Sequence, residues 1–377
     1  MKQMKACGIA AEYNPFHNGH KYQIEQIRKN SDATTIIAVM SGNWTQRGEP
    51  AIVDKWMRAE AAIANGADII AELPYLFAAQ SASVFATGAV KMLSLAHADQ
   101  MCFGSECGNL DNLQDIADTP VNPDHLRESL SSGMSYPKAY SLLTADMQPN
   151  DILAVCYLRQ LRDTSIEPLL IQRTGGYLDP QMKENASAYA IRSALAKKQP
   201  IDYATPMHAS LNGSFQSFSE LYYPYLRTLL LTTPRSELEK LLLFSEGIEK
   251  HLAIHAAEND TYSGFLNACT NYRYTASRIR RCCLQAMNHI TKEEVSKLPE
   301  ADTLRILAFN DTGRAYLKQL KKTGVRIASR FADIPYPWRT MEYRTSLMYA
   351  SVFPPDDRRR ILDREIGGAM YIPGSHE

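Results

Sequence analysis

Short apolar runs alternate with helix-like stretches through the first half of the chain. Four runs have the length and composition of buried strands: Ala6–Ala11, Ala33–Met40, Ala67–Leu73 and Gln100–Gly104. The segments between them repeat their apolar residues with helical spacing: Gly19–Lys29, Asp54–Asn65 and Ala79–Leu95. Strands that alternate with helical crossovers pair in parallel and are covered by helices. The pattern of apolar residues therefore predicts an open α/β sheet for residues 1 to about 200.

The pattern changes after Asp202. A connector rich in Ser, Asn and Gly, His208–Ser217, precedes leucine-rich helical stretches around Leu229–Leu231 and Leu238–Phe244. A second change comes near Asp302, where LRILAFNDTGRAYLKQLKKTGVRIAS predicts a strand, a turn, a helix and a strand. We therefore predict two parts, residues 1–205 and a mainly helical part, 206–377, with a small α/β element packed on its helices.

Composition bounds the class of protein. The chain has 377 residues, 45% of them apolar, which is enough for more than one core. No run approaches the ~20 apolar residues of a membrane span, and MKQMKACGIA lacks a signal-peptide core, so we expect no membrane partner and a cytoplasmic location. The seven cysteines are scattered without a CxxC pair, and the net charge is zero. Neither a disulfide framework nor a chain that coats nucleic acid by bulk charge is indicated.

The stretch EYNPFHNGH, directly behind the first predicted strand, carries the strongest chemical signal. His17 and His20 could bind a metal, but Glu12 is the one further ligand nearby, and we predict no metal site. A capped turn with locally bonded histidines is a second interpretation. In the third, Gly19 and the start of a helix offer N–H groups to an anion, while both imidazoles donate to phosphate oxygens.

Polar loops behind the other predicted strands add candidates at the same edge of the sheet. Arg47, in SGNWTQRGE, has a planar fork suited to a carboxylate or phosphate, although it could also be a surface residue beside Glu49. Arg173 precedes Thr-Gly-Gly at a strand end and favours a ligand contact over a solvent-facing turn. Asn150 precedes a helix, where capping and a contact with a nucleoside are both compatible with its position.

The segment from Thr261 to Lys292 contains no acidic residue. Its basic side chains are interleaved with tyrosines, a composition expected for contacts with RNA phosphates and bases. An ordinary helix face with salt bridges to other parts of the chain is the alternative. The predicted RNA contacts are Arg273, Arg278, Arg280 and Arg281.

These motifs resemble a known family. HNGH behind a first strand resembles the HxGH signature of the nucleotidyltransferase superfamily. The longer stretches GIAAEYNPFHNGHKYQI, SGNWTQRGEPAIVDKWMRAEAAIANGADIIAELP, FGSE, NDILAVCYL and IQRTGGYLD look like the tRNA(Met) cytidine acetate ligase family. YRYTASRIRR and LRILAFNDTGRAYLKQLKK extend the resemblance over most of the chain.

The resemblance implies a Rossmann-like nucleotidyltransferase part that binds ATP, with Mg²⁺ on the triphosphate, and a helical part that binds tRNA. It implies activation of acetate as acetyl-adenylate and acetylation of N4 of the wobble cytidine (C34) in elongator tRNA(Met). His17, His20 and Arg47 are the implied catalytic residues. The implied ATP contacts are Ala10, Ala11, Glu12, Tyr13, Asn14, Pro15, Phe16, His17, Asn18, Gly19, His20, Lys21, Gly104, Asn150, Arg173, Ser187 and Arg192.

One segment departs from the superfamily pattern. In the superfamily an Ile-Ser-Ser-Thr-type sequence commonly precedes an arginine, whereas this chain has Ser187-Ala-Tyr-Ala-Ile-Arg192. We therefore expect Ser187 to be the one residue of this segment whose hydroxyl group contacts the triphosphate. Two other functions stay open at this point. One is a small-molecule adenylyltransferase, because HxGH serves that chemistry too. The other is a non-catalytic RNA-binding protein that senses nucleotide.

Overall fold

A computed structural model describes residues 4–119, 147–173 and 181–373. Their strands form one sheet in the order β5-β4-β1-β2-β3-β6-β7, with β8 beside β6. β3 and β6 are antiparallel, and the other described pairs are parallel. The strands are β1 (Ala6–Ala11), β2 (Thr35–Ser41), β3 (Ile69–Leu73), β4 (Gln100–Ser105), β5 (Glu167–Gln172), β6 (Thr303–Phe309), β7 (Arg326–Ala328) and β8 (Met370–Tyr371).

Helices connect the parallel strands and cover both faces of the sheet. The helices within the first part of the chain are α1 (Asn18–Asn30), α2 (Lys55–Ala64), α3 (Tyr75–Ala78), α4 (Ala82–Leu95), α5 (Leu110–Asp118), α6 (Pro149–Leu161) and α7 (Ala188–Ala196). The predicted α/β class with a mostly parallel sheet is confirmed. The predicted strands and helices lie within a few residues of the observed ones.

The strand sequences explain why the sheet is covered on both faces. All seven residues of β2 are buried. Ile37 and Val39 pack with α4 and α6 on one face, whereas Ile36 and Ala38 pack with α1, α2 and α7 on the other. Because successive side chains of a strand point to opposite faces, a continuous apolar run is what a doubly covered strand requires.

The middle of the chain is helical, as predicted. Its elements are α8 (His208–Asn212), α9 (Ser219–Thr232), α10 (Arg235–Leu238), α11 (Ile248–Glu258), α12 (Tyr262–Cys269), α13 (Ala276–Met287) and α14 (Lys292–Ser296). α9, α11, α12 and α13 share a separate apolar core that includes Leu226, Phe244 and Phe265. No helix among the described residues is both long and apolar enough to cross a bilayer.

The last part of the chain returns to the sheet. It contains α15 (Asp311–Leu320), 3₁₀ turns at Lys321–Thr323 and Phe331–Asp333, α16 (Tyr336–Ala350) and α17 (Pro355–Ile366). β6 pairs with β3, so the predicted strand–helix–strand element extends the main sheet instead of packing only on the helices. Sequence pattern gives strands but not their partners, which explains this difference. The division at residue 205 stays a prediction, since the sheet takes strands from both sides of it.

A buried ion network joins the returning segment to the sheet. Lys55 Nζ lies 2.6 Å from Glu72 and 2.8 Å from Glu365. Arg305 contacts the same two carboxylates, each at 2.7 Å. The two positive charges and the two negative charges thus neutralise each other in the protein interior, where an unpaired charge is costly. The network fixes α17 and β6 against β3 and α2.

Removing one cation should be strongly destabilising. Lys55→Met keeps the apolar stem but leaves two buried carboxylates sharing Arg305, so we expect a loss of about 3–5 kcal/mol in the free energy of unfolding. Urea denaturation followed by circular dichroism measures it. Lys240→Met is the matched control, because Lys240 pairs with Glu237 on the surface. Equal stability of the two variants would contradict this account of the network.

Candidate active site

A pocket opens at the carboxyl ends of β1 and β4, where the strand order reverses. Such a switch point is the usual ligand site of an open α/β sheet. The pocket brings together residues that the sequence places far apart. Of the predicted site residues, its lining includes Ala10, Ala11, Glu12, Tyr13, Asn14, His17, His20, Arg47, Gly104, Asn150, Arg173, Ser187 and Arg192.

The two histidines form the cap of α1. His17 is the N-cap residue, and its Nδ1 accepts a hydrogen bond from the N–H of Gly19 at 3.0 Å. His20 Nδ1 accepts from the N–H of His17 at 3.2 Å. Because each Nδ1 is an acceptor, each neutral ring carries its proton on Nε2. The cap therefore sets the tautomer of both rings and makes each Nε2–H the remaining donor.

Both histidines are neutral at physiological pH. Their rings stack with centroids 3.7 Å apart. Burial lowers the pKa of His17 to about 3, helped by the positive charges of Arg173 and Arg192. Burial also lowers the pKa of His20, helped by His17 and Arg173. Two neutral N–H donors can stabilise negative charge that develops at a phosphate without themselves changing protonation.

The structure changes one expectation about the first turn of α1. The N–H groups there already have partners, since Asn18 donates to Ala204, and His20 and Lys21 donate to the carbonyl of His17. An anion in this pocket would therefore be bound by side chains more than by the helix start. The capped-turn interpretation and the donor interpretation are compatible, because the cap uses Nδ1 and leaves Nε2.

Two arginines place positive charge beside the histidines. Arg173 follows β5 and lines the pocket, and its Nε is buried without a hydrogen-bond partner among the described residues. A Cβ on Gly104 would lie 3.1 Å from Cγ of Arg173, so a larger residue there would press on the arginine. Arg192 Nη1 donates to the carbonyl of Asn14 at 2.7 Å. Both guanidinium groups suit phosphate oxygens.

The loop between β2 and α2 closes another side of the pocket. Arg47 and Gln46 line it, and the N–H of Gln46 donates to Glu12 Oε1 at 2.6 Å. Burial raises the pKa of Glu12, although the hydrogen bond from Gln46 and the charges of Arg47 and Arg192 oppose the shift. The pKa of Glu12 therefore lies above that of an exposed glutamate.

Asn150 is held by a reciprocal contact between β4 and α6. It lies within the first turn of α6 without capping it, and its Nδ2 donates to Glu106 at 2.5 Å. Asp151 in turn accepts from Ser105 Oγ at 2.5 Å and from the N–H of Glu106 at 3.0 Å. The FGSE and NDILAV sequences therefore meet at one point. Since a carboxylate only accepts hydrogen bonds, the amide oxygen of Asn150 is left for another donor.

Five of the predicted ATP contacts lie outside this lining: Pro15, Phe16, Asn18, Gly19 and Lys21. Phe16 is fully buried against Tyr13 and His20, and Pro15 is buried. Asn18 donates to the carbonyls of Glu184 and Tyr203, and Lys21 is exposed. Gly19 borders a neighbouring depression that also includes Arg173.

Ser187 lines the pocket, and its hydroxyl group caps α7 by accepting a hydrogen bond from the N–H of Ala190. Thr174, Gly175 and Gly176, which the sequence argument used, fall outside the described residues.

Sequence reasoning missed part of the pocket. Most of the missed residues are apolar or aromatic side chains on α4, α6 and α7, whose helical spacing gives no sign of a ligand surface. One signal was available for Gln46, because it precedes Arg47 in the same polar loop. The missed lining residues are Gln23, Gln46, Ala82, Phe85, Phe103, Pro149, Leu153, Tyr157, Ala188 and Tyr189.

The four arginines of the acid-free segment have carboxylate or loop neighbours from elsewhere in the chain. Arg273 and Arg278 pair with Glu246 at 3.7 and 3.1 Å, and Arg280 pairs with Glu49 at 3.3 Å. Arg281 is partly buried, and burial lowers its pKa, with the charges of Arg278 and Arg47 as further causes. Arg280 and Arg281 therefore adjoin the loop that supplies Arg47, whereas Arg273 and Arg278 lie beyond it.

The described residues include no group of three or more His, Cys, Asp or Glu side chains placed to hold a metal ion. Glu12 is the one carboxylate among the lining residues of the pocket. The donor set therefore suits an anionic ligand more than a resident metal, since Mg²⁺ binds through several oxygens and keeps part of its water shell.

Comparison with known proteins agrees with this geometry. The HIGH Nucleotidyl Transferase family model matches residues 4–363. The tRNA(Met) cytidine acetate ligases of Geobacillus sp. (strain WCH70) and Anoxybacillus flavithermus are 35% and 36% identical to the chain. Each alignment covers 96% of this chain and 98% of the relative. The chain belongs to the tRNA(Met) cytidine acetate ligase family. The resemblance predicted from the motifs is confirmed.

Solved structures of the same family have the same fold. The apo crystal structure of Thermotoga maritima TmcAL superposes with a TM-score of 0.88 at 29% identity, covering 98% of this chain and all of that chain. The form bound with alpha-thio ATP gives a TM-score of 0.87 at 30% identity with the same coverage. That second structure of the Thermotoga maritima protein is bound with an ATP analogue.

The buried histidines predict a specific pH dependence of stability. In the unfolded chain His17 regains a pKa near 6.5, so between pH 6.5 and about 3 the unfolded state binds more protons than the folded state. Stability should be highest above pH 6.5 and should fall on acidification by up to about 1.4 kcal/mol per pH unit for each such histidine.

His17→Asn tests this, because Asn caps a helix well but does not titrate. Urea unfolding at pH 8 and pH 5 should show a smaller loss of stability in His17→Asn than in the wild type. The exposed His289 provides the control variant His289→Asn, which should keep the wild-type loss. An identical pH dependence in all three proteins would refute the neutral, buried state of His17.

Proposed function

We propose that the chain activates acetate with ATP as acetyl-adenylate and then acetylates N4 of the wobble cytidine, C34, of elongator tRNA(Met). The observation that carries this proposal is the stacked pair of neutral histidines with Arg173 and Arg192 around one pocket. The names of the relatives, and the ATP analogue in one solved relative, support the choice of substrates.

In the first half-reaction an acetate oxygen attacks the α-phosphorus of ATP. The new O–P bond forms as the bond to the β-phosphate oxygen breaks, and pyrophosphate leaves. Nε2–H of His17 and of His20 donates to the oxygens that gain charge, while Arg173 and Arg192 hold the phosphates. Arg47, which lines the same pocket, pairs in this proposal with the acetate carboxylate or the triphosphate. Mg²⁺ bound to the triphosphate would neutralise part of its charge, and it would be held mainly by phosphate oxygens and water, since Glu12 is the one carboxylate among the residues that line the pocket.

In the second half-reaction the amine N4 of cytidine attacks the acetyl carbonyl. The C–N bond forms, AMP leaves with the former acetate oxygen, and N4 loses a proton. The lone pair of this amine is delocalised into the ring, which makes it a weak nucleophile and explains why acetate must first become a mixed anhydride. Correct positioning of the base should therefore supply much of the rate. A wobble base in a loop is unpaired, so it enters a pocket at small energetic cost.

Labelled acetate tests the function directly. Incubation with ATP and total tRNA, followed by nucleoside analysis, should place the label on cytidine of the methionine elongator alone. Formation of a stable small dinucleotide from ATP without RNA, with no acetate label in tRNA, would instead favour an adenylyltransferase. Tight tRNA binding without ATP consumption would favour a nucleotide-sensing RNA-binding protein.

The histidine pair should act on the transition state more than on substrate binding. In His17→Asn and in His20→Ala we expect acetate-dependent pyrophosphate exchange to fall by roughly 10²–10³, because each removes one donor to developing charge. Affinity for tRNA, measured by filter binding, should stay near that of the wild type. Loss of ATP affinity as large as the loss of exchange would show that the rings serve ground-state binding instead.

The basic residues Arg273 and Arg278 give a separate test of the RNA surface. The double variant Arg273→Gln/Arg278→Gln should weaken tRNA binding and flatten the log–log salt slope by about 0.7–0.9 per lost phosphate contact. Pyrophosphate exchange without RNA should be unchanged, since neither residue lines the pocket.

Arg314→Gln is the matched control, because Arg314 pairs with Asp311 on α15. It should leave both tRNA affinity and the salt slope unchanged. An unaltered slope in the double variant would remove Arg273 and Arg278 from the RNA contact.

A further inference from the structure

The loop that supplies Arg47 to the pocket also rests on the backbone of α13. Within it, Gly48 has a φ of +78°, and a Cβ there would lie 2.6 Å from the backbone N of Arg281. The turn is closed by two hydrogen bonds, from Thr45 N to Glu49 O and from Gly48 N to Thr45 O, both 2.9 Å. A side chain at Gly48 would therefore force the loop and the helix apart.

Glu49, the next residue, has a carboxylate placed between two arginines of different function. Its Oε1 lies 3.3 Å from Nε of Arg280 on α13. Its Oε2 lies 4.0 Å from Nη2 of Arg192, which lines the pocket. The three side chains are only about a fifth to a quarter exposed, so solvent screens their interaction less than that of a surface pair.

We propose that Glu49 couples the tRNA surface to the phosphate site by shifting between Arg280 and Arg192. This inference rests on the proposed function, in which Arg192 holds the triphosphate, and on the sequence-based prediction that Arg280 contacts RNA phosphates. An RNA phosphate that pairs with Arg280 replaces Glu49 there. The carboxylate then interacts more strongly with Arg192 and competes with the phosphates bound to it.

The sign of this coupling is negative. Bound tRNA weakens the hold of Arg192 on pyrophosphate, and by linkage bound pyrophosphate weakens the affinity for tRNA by the same factor. The acetyl group is not attached to pyrophosphate, so it stays in the pocket as acetyl-adenylate. Arrival of tRNA would thus favour release of pyrophosphate before transfer and oppose reversal of the activation step.

The size of the effect is bounded by the exposure of the pair. Partly exposed ion pairs contribute modestly, so we expect roughly a two- to tenfold change in affinity. Pyrophosphate is the probe, because without acetate and ATP no reaction takes place. Its dissociation constant is measured by calorimetry with and without saturating unmodified elongator tRNA(Met).

In the wild type, pyrophosphate should bind roughly two- to tenfold more weakly in the presence of tRNA. Glu49→Gln keeps the shape of the side chain and removes the charge, so the dissociation constant should become the same with and without tRNA. Glu49→Asp keeps the charge and should retain a coupling of the same sign. Thermal unfolding of both variants checks that the turn against α13 is intact.

Glu246→Gln is the matched control. Glu246 pairs with Arg273 and Arg278 of the same basic region and has no ion pair with a pocket residue among those described. It should alter tRNA affinity and preserve the coupling.

Three results would overturn the inference. The first is equal affinity of the wild type for pyrophosphate with and without tRNA. The second is coupling that persists in Glu49→Gln, which would show general repulsion between two polyanions. The third is loss of coupling in Glu246→Gln as well. A wild type that binds both ligands independently refutes only the coupling. A wild type that binds no tRNA refutes the proposed function together with it.

Discussion

The buried guanidinium of Arg58 holds together the strand ends on which the pocket is built. It donates to the carbonyls of Glu12 at 2.6 Å, Ser41 at 3.2 Å and Val53 at 3.2 Å, and also to that of Gly42. Burial lowers its pKa, but arginine stays protonated in proteins. The planar guanidinium group, with its five N–H donors in fixed positions, thus provides hydrogen bonds to carbonyls that lack a partner at the ends of β1 and β2. Lysine has neither the reach nor the geometry to replace it.

The pocket combines neutral donors with fixed positive charge. His17 and His20 are uncharged because they are buried beside arginines, and their tautomers follow from the cap of α1. Such donors need no reorganisation when charge develops on a phosphate, which is the main requirement for electrostatic catalysis. The same burial makes the folded chain sensitive to acid. Function and stability therefore place opposite demands on these two side chains.

The sequence predicted the first four strands and the sheet edge at which the pocket opens, because apolar periodicity and the switch-point rule depend on local pattern and chain order. It did not predict that β6 pairs with β3, since a strand pattern contains no information about its partner. It also did not show that Glu49 and Glu246 pair with arginines of the acid-free segment. Those carboxylates come from distant parts of the chain, so a count of charges within one window missed them.

The pairing of β6 with β3 has a consequence for how the protein is made. Until Thr303–Phe309 leaves the ribosome, β3 is an exposed edge, although in the finished fold its five residues are all buried and, apart from Glu72, apolar. The charged groups of Lys55 and Glu72 likewise lack their partners Arg305 and Glu365, which are synthesised more than 200 residues later. An unprotected apolar edge is an aggregation hazard, and long-range pairing is slow. Nascent chains of this family should therefore need shielding at β3 until translation is nearly complete.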